Sequence, residues 1–373
     1  MSIPSLYQIK LYDPVGILLK IIPDFFGLDY AKKVNDIGTL ILRLPTKYYP
    51  LVGQDCRIEV ERSVNGGSFK VDMETGWLVR DVIQSQEQDG QESITITAFD
   101  GISILKRRVI AYNAGTSQAK KTALNDDMMK AIVRENFVSA TDTLRNLDSA
   151  FFGVQADTSQ GASLSKSFAW RNVLIVLQEI SQAGILSGQN IYFDVVLDGT
   201  GKFEFRTYRR YRGDDHRWPG GNNSIILDPQ LGNLANCVLE EDYKDQISYQ
   251  YVGGQGEGAD RAIYSEGDNT QIGVSPFGRI EDFQDARNTD DSTFLVYEAR
   301  TALRAARPKL LFSANLVETQ TVRYGIEYGF GDFMTCQFRG LALDCRLDVI
   351  HIVKEANAPE RIDAKLQATA NVV

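Results

Sequence analysis

Chemistry at neutral pH leans heavily on histidine, and this chain of 373 residues has two, His216 and His351. His216 follows Asp214 and Asp215. An imidazole beside two carboxylates is metal-ligand chemistry, but the ordinary reading of such a polar loop is a solvated turn. His351 sits in the alternating run Val349-Ile350-His351-Ile352-Val353, directed opposite to Ile350 and Ile352, and is expected as a half-exposed strand residue. The cysteines Cys56, Cys237, Cys336 and Cys345 form no C-x-x-C pair and no zinc spacing with histidine. They read as small buried hydrophobes, with the reduced thiols of cytosolic assembly. Gly253-Gly254-Gln255-Gly256-Glu257-Gly258 superficially resembles a nucleotide loop. A dinucleotide site needs a helix after it, whereas Asp260 to Ser265 reads as a strand and Glu257 would repel phosphate. The segment is better taken as a flexible hairpin loop at a subunit boundary. Nothing marks out one carboxylate pair among 49 acidic residues, and Glu281, Asp282 and Asp285 read as a solvated loop. No G-x-S-x-G, H-E-x-x-H, Walker or EF-hand pattern occurs. No residue is therefore singled out as catalytic, cofactor-binding or metal-binding, no cofactor is expected, and the chain reads as a non-enzyme.

Arginine and tyrosine carry the remaining signal. Lys106-Arg107-Arg108, and the run Arg206, Arg209, Arg210 and Arg212 with Tyr208 and Tyr211, suit either nucleic acid or a protein interface. The net charge of -9 favours intersubunit pairing over general nucleic-acid binding. Tyr48-Tyr49 and Phe151-Phe152 also suit subunit contacts. Of the three tryptophans, Trp77 and Trp170 are expected in a strand and a helix as core; exposed, Trp77, Trp170 or Trp218 would stack on sugars. Met1 to Pro4 lacks the start of a signal peptide. The apolar stretch Val15 to Ile22 is interrupted by Lys20, and nothing approaches the ~20 apolar residues of a membrane span. A soluble protein outside the general secretory route is expected.

These side chains are positioned, on the sequence pattern, mainly by strands. Leu6 to Tyr12, Gly38 to Leu44, Phe69 to Met73, Gly76 to Ile83 and Ser93 to Phe99 read as short strands. Asp55 to Arg62 alternates Cys56, Ile58 and Val60 against Arg57, Glu59 and Glu61, and ends near an Asn65-Gly66-Gly67 turn. Gln84 to Glu92 reads as a polar connection. A helix over Leu124 to Phe137 follows an Asn125-Asp126-Asp127 start, then a loop from Ser139 to Lys166. A second helix, Ser167 to Ala183, has Phe168, Leu174, Leu177 and Ile180 as its core stripe and Gly184 as its stop. Ile191 to Leu197 and Lys202 to Tyr208 form a hairpin. Cys237 to Val252 and Arg261 to Tyr264 are strands, and Gly267 to Thr289 is polar. A third helix, Thr293 to Arg307, is capped by Asp291-Ser292 and ended by Pro308. Strands over Leu310 to Glu318, Gly325 to Tyr328, Phe333 to Phe338, Arg346 to Glu355 and Arg361 to Ala368 complete the chain.

The order of these signals has a counterpart. The turn Asp13-Pro14-Val15-Gly16, the Asn35-Asp36-Ile37-Gly38 corner, the strand Gly76-Trp77-Leu78-Val79-Arg80, and Ala98-Phe99-Asp100-Gly101 leading into Leu105 to Tyr112 resemble the siphovirus tail-hub-like family. Ala119-Lys120-Lys121-Thr122 through Asp126 to Asn136 strengthens the likeness, which is specific over Tyr7 to Phe137 and a matter of layout beyond. The family is itself similar to contractile-tail baseplate hubs and secretion-system spike hubs. The resemblance implies an α+β, mainly β fold of tail-hub type, with two antiparallel β-barrel-like domains and small α+β insertions. Residues 1–112 would be the first tube-like domain, 113–230 an α+β insertion, and 231–373 the second, with a helical and loop insertion around 253–308. It further implies a homotrimeric ring at the tail tip of a virion, assembled in the host cytoplasm. Its partners would be the tail tube or distal tail protein and the tip, fibre or spike proteins, with DNA only as transient lumen cargo. The end at Val373 leaves no room for the enzymatic or receptor-binding extensions of some relatives. A tail-associated cell-wall hydrolase or peptidase, and a receptor- or carbohydrate-binding tail module, are the competing readings.

Overall fold

The computed structural model describes residues 5–86, 90–111, 119–168, 170–186, 189–287, 292–317 and 319–371. Eight strands come first: β1 (Leu6–Tyr12), β2 (Leu18–Ile22), β3 (Gly27–Lys33), β4 (Asp36–Pro45), β5 (Arg57–Ser63), β6 (Lys70–Val71), β7 (Trp77–Gln86) and β8 (Glu92–Phe99). A short helix α1 (Ser103–Lys106) leads to β9 (Ala119–Leu124), α2 (Asn125–Phe137), β10 (Phe152–Val154), β11 (Ser163–Phe168), α3 (Val173–Leu186), β12 (Ile191–Leu197) and β13 (Phe203–Arg209). Then follow β14 (Asp215–His216), β15 (Ile226–Leu227), β16 (Leu234–Asp242), β17 (Tyr249–Gly253), β18 (Ile263–Gly267), α4 (Asn269–Ile272), β19 (Glu281–Asp285) and α5 (Ser292–Ala305). β20 (Lys309–Leu316), β21 (Phe333–Phe338), β22 (Leu341–Glu355) and β23 (Arg361–Asn371) end the chain.

The mainly β, α+β class holds. Eleven strands form one path in the order β16-β20-β23-β22-β3-β4-β8-β7-β5-β1-β2, within a sheet of fifteen. The first and last thirds of the sequence meet at β3 and β22, where Lys33 to Gly27 lie opposite Val349 to Glu355. No closed barrel is found among the described residues: the two ends of the path, β16 and β2, do not pair with each other. A single core lies against this sheet and draws from both halves, with Ile9, Leu42 and Ile96 beside Phe312, Ile350 and Leu366. Burying each such side chain contributes roughly 1.5–3 kcal/mol. A second core, shared by the middle of the chain with Leu78 of β7 and Leu105 of α1, packs Ile132 and Phe137 of α2 and Leu177 and Ile180 of α3 on Phe193 and Phe205 of the β12–β13 hairpin. A third, small cluster joins Val252 of β17 to Leu295 and Ala299 of α5.

Several sequence expectations need correction. The alternation in β5 does not yield an exposed polar face: every residue from Arg57 to Ser63 is buried. Its charges are covered because they pair, Arg57 with Glu59 at 3.0 Å and Lys10 with Glu61 at 2.6 Å. Strands β2 and β3 were not expected at all, since charged residues break their apolar runs. The expected loop from Ser139 to Lys166 contains β10, added in parallel to β13, and the start of β11, which pairs with β9. Phe168 is core as expected, but it lies in β11; the helix begins at Val173. Gly184 does not stop α3, which runs to Leu186. That glycine instead lets α3 approach Asn125, whose Nδ2 would be 2.3 Å from an added Cβ. Phe69 to Met73 yields only the two-residue β6, and Met73 has a φ of 52°. The expected strand over Gly325 to Tyr328 is a turn closed by a bridge between Tyr324 and Tyr328. Cys237 to Val252 is two strands, and the polar segment after Gly267 contains β19, in parallel register with β17. The expected cap at Asp291 and part of the Gln84 to Glu92 connection lie outside the described residues.

Candidate functional site

The strongest local chemistry is a set of buried charges holding the β12–β13 hairpin to the sheet. Lys32 on β3 is fully buried, and its Nζ is 2.9 Å from Oδ2 of Asp194 on β12. Arg212, just after β13, donates from Nε to the same oxygen at 2.9 Å and from Nη2 to Glu74 at 3.2 Å. Burial alone would push the Asp194 carboxyl up, but Lys32 and Arg212 outweigh it and hold it below the usual carboxylate range. Asp100, at the end of β8, has the opposite fate. It is fully buried and both its carboxyl oxygens lack a hydrogen-bond partner. Burial pushes it up to about 7, more strongly than Lys32 pulls it down, and the Asp194 charge adds to the rise.

A second set braces the sheet near its narrowest junction. β5 and β7 pair over only two residues, Arg57 with Leu78 and Ile58 with Trp77. Beside them Arg62 holds Glu360 through two bonds, Nη2 to Oε1 at 2.7 Å and Nε to Oε2 at 3.1 Å. Its Nη1 donates to the Tyr324 carbonyl at 2.9 Å, and Tyr7 and Ser5 also donate to Glu360. Burial raises the Glu360 carboxyl, but the Arg62, Ser5 and Tyr7 hydrogen bonds prevail and bring it below its ordinary value. These contacts tie β1, β5 and the start of β23 into one unit.

The two free ends of the sheet are chemically different. β2 exposes Leu18, Leu19 and Ile21, and the turn before it exposes Val15 and Ile17. β16 exposes Val238 together with Glu240 and Glu241. Unpaired edges with apolar side chains are templates for another chain. All ten pairings along the path are antiparallel, so β2 and β16 run in the same direction. Elsewhere Val274 and Phe277, between α4 and β19, are exposed.

The residues singled out from sequence scatter. His351 is half-buried, with Nε2 2.7 Å from Asp29, as its strand position implied. His216 is not in a solvated turn: β14 pairs with β21 and buries it. The Gly253 to Gly258 loop leads to a 3-10 turn and then β18, with no helix to hold a phosphate. Arg107, Arg108, Phe151 and Phe152 do come together, lining a cleft of about 300 Å³ that the turn at Asp13 and Pro14 overhangs. Arg212 is an internal anchor and no surface group, and Arg206 pairs with Glu204. Tyr48 and Phe152 belong to cores while their neighbours Tyr49 and Phe151 are exposed. Trp77 is core, edge-on to Tyr30, but Trp170 precedes α3 and is exposed, as is Trp218. Lys32, Asp100 and Asp194 were missed, because a lone charge in an apolar run looks the same in sequence whether it is exposed or paired inside.

The profile of a family described as "Siphovirus ReqiPepy6 Gp37-like protein" matches residues 8–366, nearly the whole chain. The chain belongs to this family. Solved structures agree on the fold of this Gp37-like protein. The 43 kDa tail protein of prophage MuSo2 from Shewanella oneidensis is 11% identical, with a TM-score of 0.57 over 97% of this chain and 98% of its own. The tail protein of Neisseria meningitidis MC58 is 10% identical, with a TM-score of 0.58 over 97% and 96%. A chain in the lidded Francisella PdpA-VgrG complex is 10% identical, with a TM-score of 0.53 over 99% of the Gp37-like chain and 53% of its own length. A search of curated proteins finds no match. Among the described residues no helix is long and apolar enough to cross a membrane.

Proposed function

We propose that this siphovirus tail protein is a tail-tip hub. Three copies close a ring at the distal end of the tail tube and join the tube to tip, fibre or spike proteins. The observation that carries this reading is the pair of free sheet ends. Rotation about a ring axis preserves strand direction, so β2 of one copy can lie parallel to β16 of the next. Apolar side chains line both edges, and Lys20 on β2 complements Glu240 and Glu241 on β16. Such head-to-tail pairing removes both edges at once.

Within each subunit, residues 1–112 and 231–373 supply the tube-like β-structure and residues 113–230 the insertion, with 253–308 as a smaller one. The small cluster around Leu295 supports the smaller insertion, and the core around Phe193 is drawn mostly from residues 113–230, joined by Leu78 and Leu105. On this reading, exposed Val274 and Phe277 of the smaller insertion would contact a neighbouring tail protein. The acidic balance lets DNA pass the lumen as cargo without adsorbing. The role is geometric, needs no catalysis, and belongs to the virion after assembly in the host cytoplasm. Gold labelling of a tagged copy in intact particles tests it. Label at the distal tail end is expected; label along the tube or on the head would overturn the reading.

A further inference from the structure

We propose that Asp214, His216 and Asp332 form a zinc site that clamps the β14 segment to the turn before β21. The three side chains offer one ligand atom each, all within 4.8 Å of one another. His216 Nε2 and Asp332 Oδ2 are 3.4 Å apart. Two ligands about 2.1 Å from one tetrahedral zinc ion stand about 3.4 Å from each other, so this pair already has the spacing of a shared ion. A charge-assisted hydrogen bond would be shorter, about 2.7–2.9 Å.

The tautomer points the same way. His216 Nδ1 lies 2.8 Å from the Asn222 carbonyl oxygen and 3.3 Å from that of Asn223. Carbonyl oxygens only accept, so Nδ1 carries a proton, and in the neutral ring the Nε2 lone pair faces the Asp332 carboxylate. The imidazole is nine-tenths buried, and Nε2 makes no hydrogen bond among the described residues. A lone pair aimed at a carboxylate across 3.4 Å calls for a cation between them, and a carbonyl on the far nitrogen is the usual outer partner of a metal-bound histidine.

The backbone holds the site before any ion arrives. Asp332 accepts from the Asp214 amide through Oδ1 and from the Gly329 amide through Oδ2, each at 2.6 Å. Phe333 donates its amide to the Asp214 carbonyl at 2.9 Å. Asp214 is exposed, so its carboxylate can swing in as third ligand, and water fills the open fourth position. One imidazole with two carboxylates suits zinc better than magnesium or calcium, which take oxygen alone. The clamp would fasten the strand that follows the Arg212 anchor to the large sheet.

The test uses the untagged full chain, stripped with EDTA and titrated with zinc chloride in a calorimeter, with thermal unfolding in parallel. One equivalent of zinc, a raised unfolding temperature and no response to magnesium are expected. Asp214→Ala, which removes an exposed side chain, should unfold like the parent without metal but bind zinc at least about tenfold more weakly. X-ray absorption at the zinc edge should report one imidazole among oxygen ligands. No zinc uptake by the parent chain, or uptake that Asp214→Ala leaves unchanged, would overturn the proposal.

Discussion

Asp100 and Arg62 show how a buried charge acts at opposite signs. The Asp100 carboxyl rises from an ordinary 3.8 to about 7 in the folded chain. The folded state therefore keeps a proton that the unfolded state releases, and stability falls as pH climbs from about 4 to about 7, then levels. Asp100→Asn lacks this loss. Urea unfolding at pH 5 and pH 8 should show the variant gaining on the parent at the higher pH, by roughly 2–4 kcal/mol between the limits of the titration. An equal difference at both pH values would rule the effect out. Arg62 is the reverse case, a buried cation fully paired with Glu360. Arg62→Met strands Glu360 and should cost about 3–5 kcal/mol in the same assay, whereas Arg62→Met with Glu360→Leu should recover much of it.

At the scale of elements, the proposed assembly rests on the edge strands. Leu19 and Val238 are exposed on β2 and β16 and contribute little to the subunit core. Leu19→Lys or Val238→Lys should leave the unfolding temperature within about 2 °C of the parent. Either change should lower the mass seen by light scattering, because a charge is placed in the pairing edge. Loss of folding together with assembly would instead make these strands part of the core. How much of this was legible follows from physical pattern. β1, β4, β8 and β21 were readable because one side faces core and alternation survives. β3 was not, since Lys32 finds its partner 162 residues away in Asp194. β10, β11 and β19 were not, because short polar strands acquire their pairing only from neighbours brought close by the fold. The same holds for His216, whose burial comes from the distant β21.

At the scale of the molecule, one core joins the two ends of the sequence, and the middle segment is held to them by buried ion pairs and by a second core that takes in Leu78 and Leu105. The layout of the first hundred residues was enough to indicate the family; the pairing of β3 with β22 was beyond any local pattern. The central claim concerns copies and symmetry, and electron microscopy of the purified chain at assembly concentrations tests it most directly. Class averages should show closed rings with three-fold symmetry and a central opening, built from three copies. Particles that remain single subunits at every concentration, or rings of another order, would contradict it.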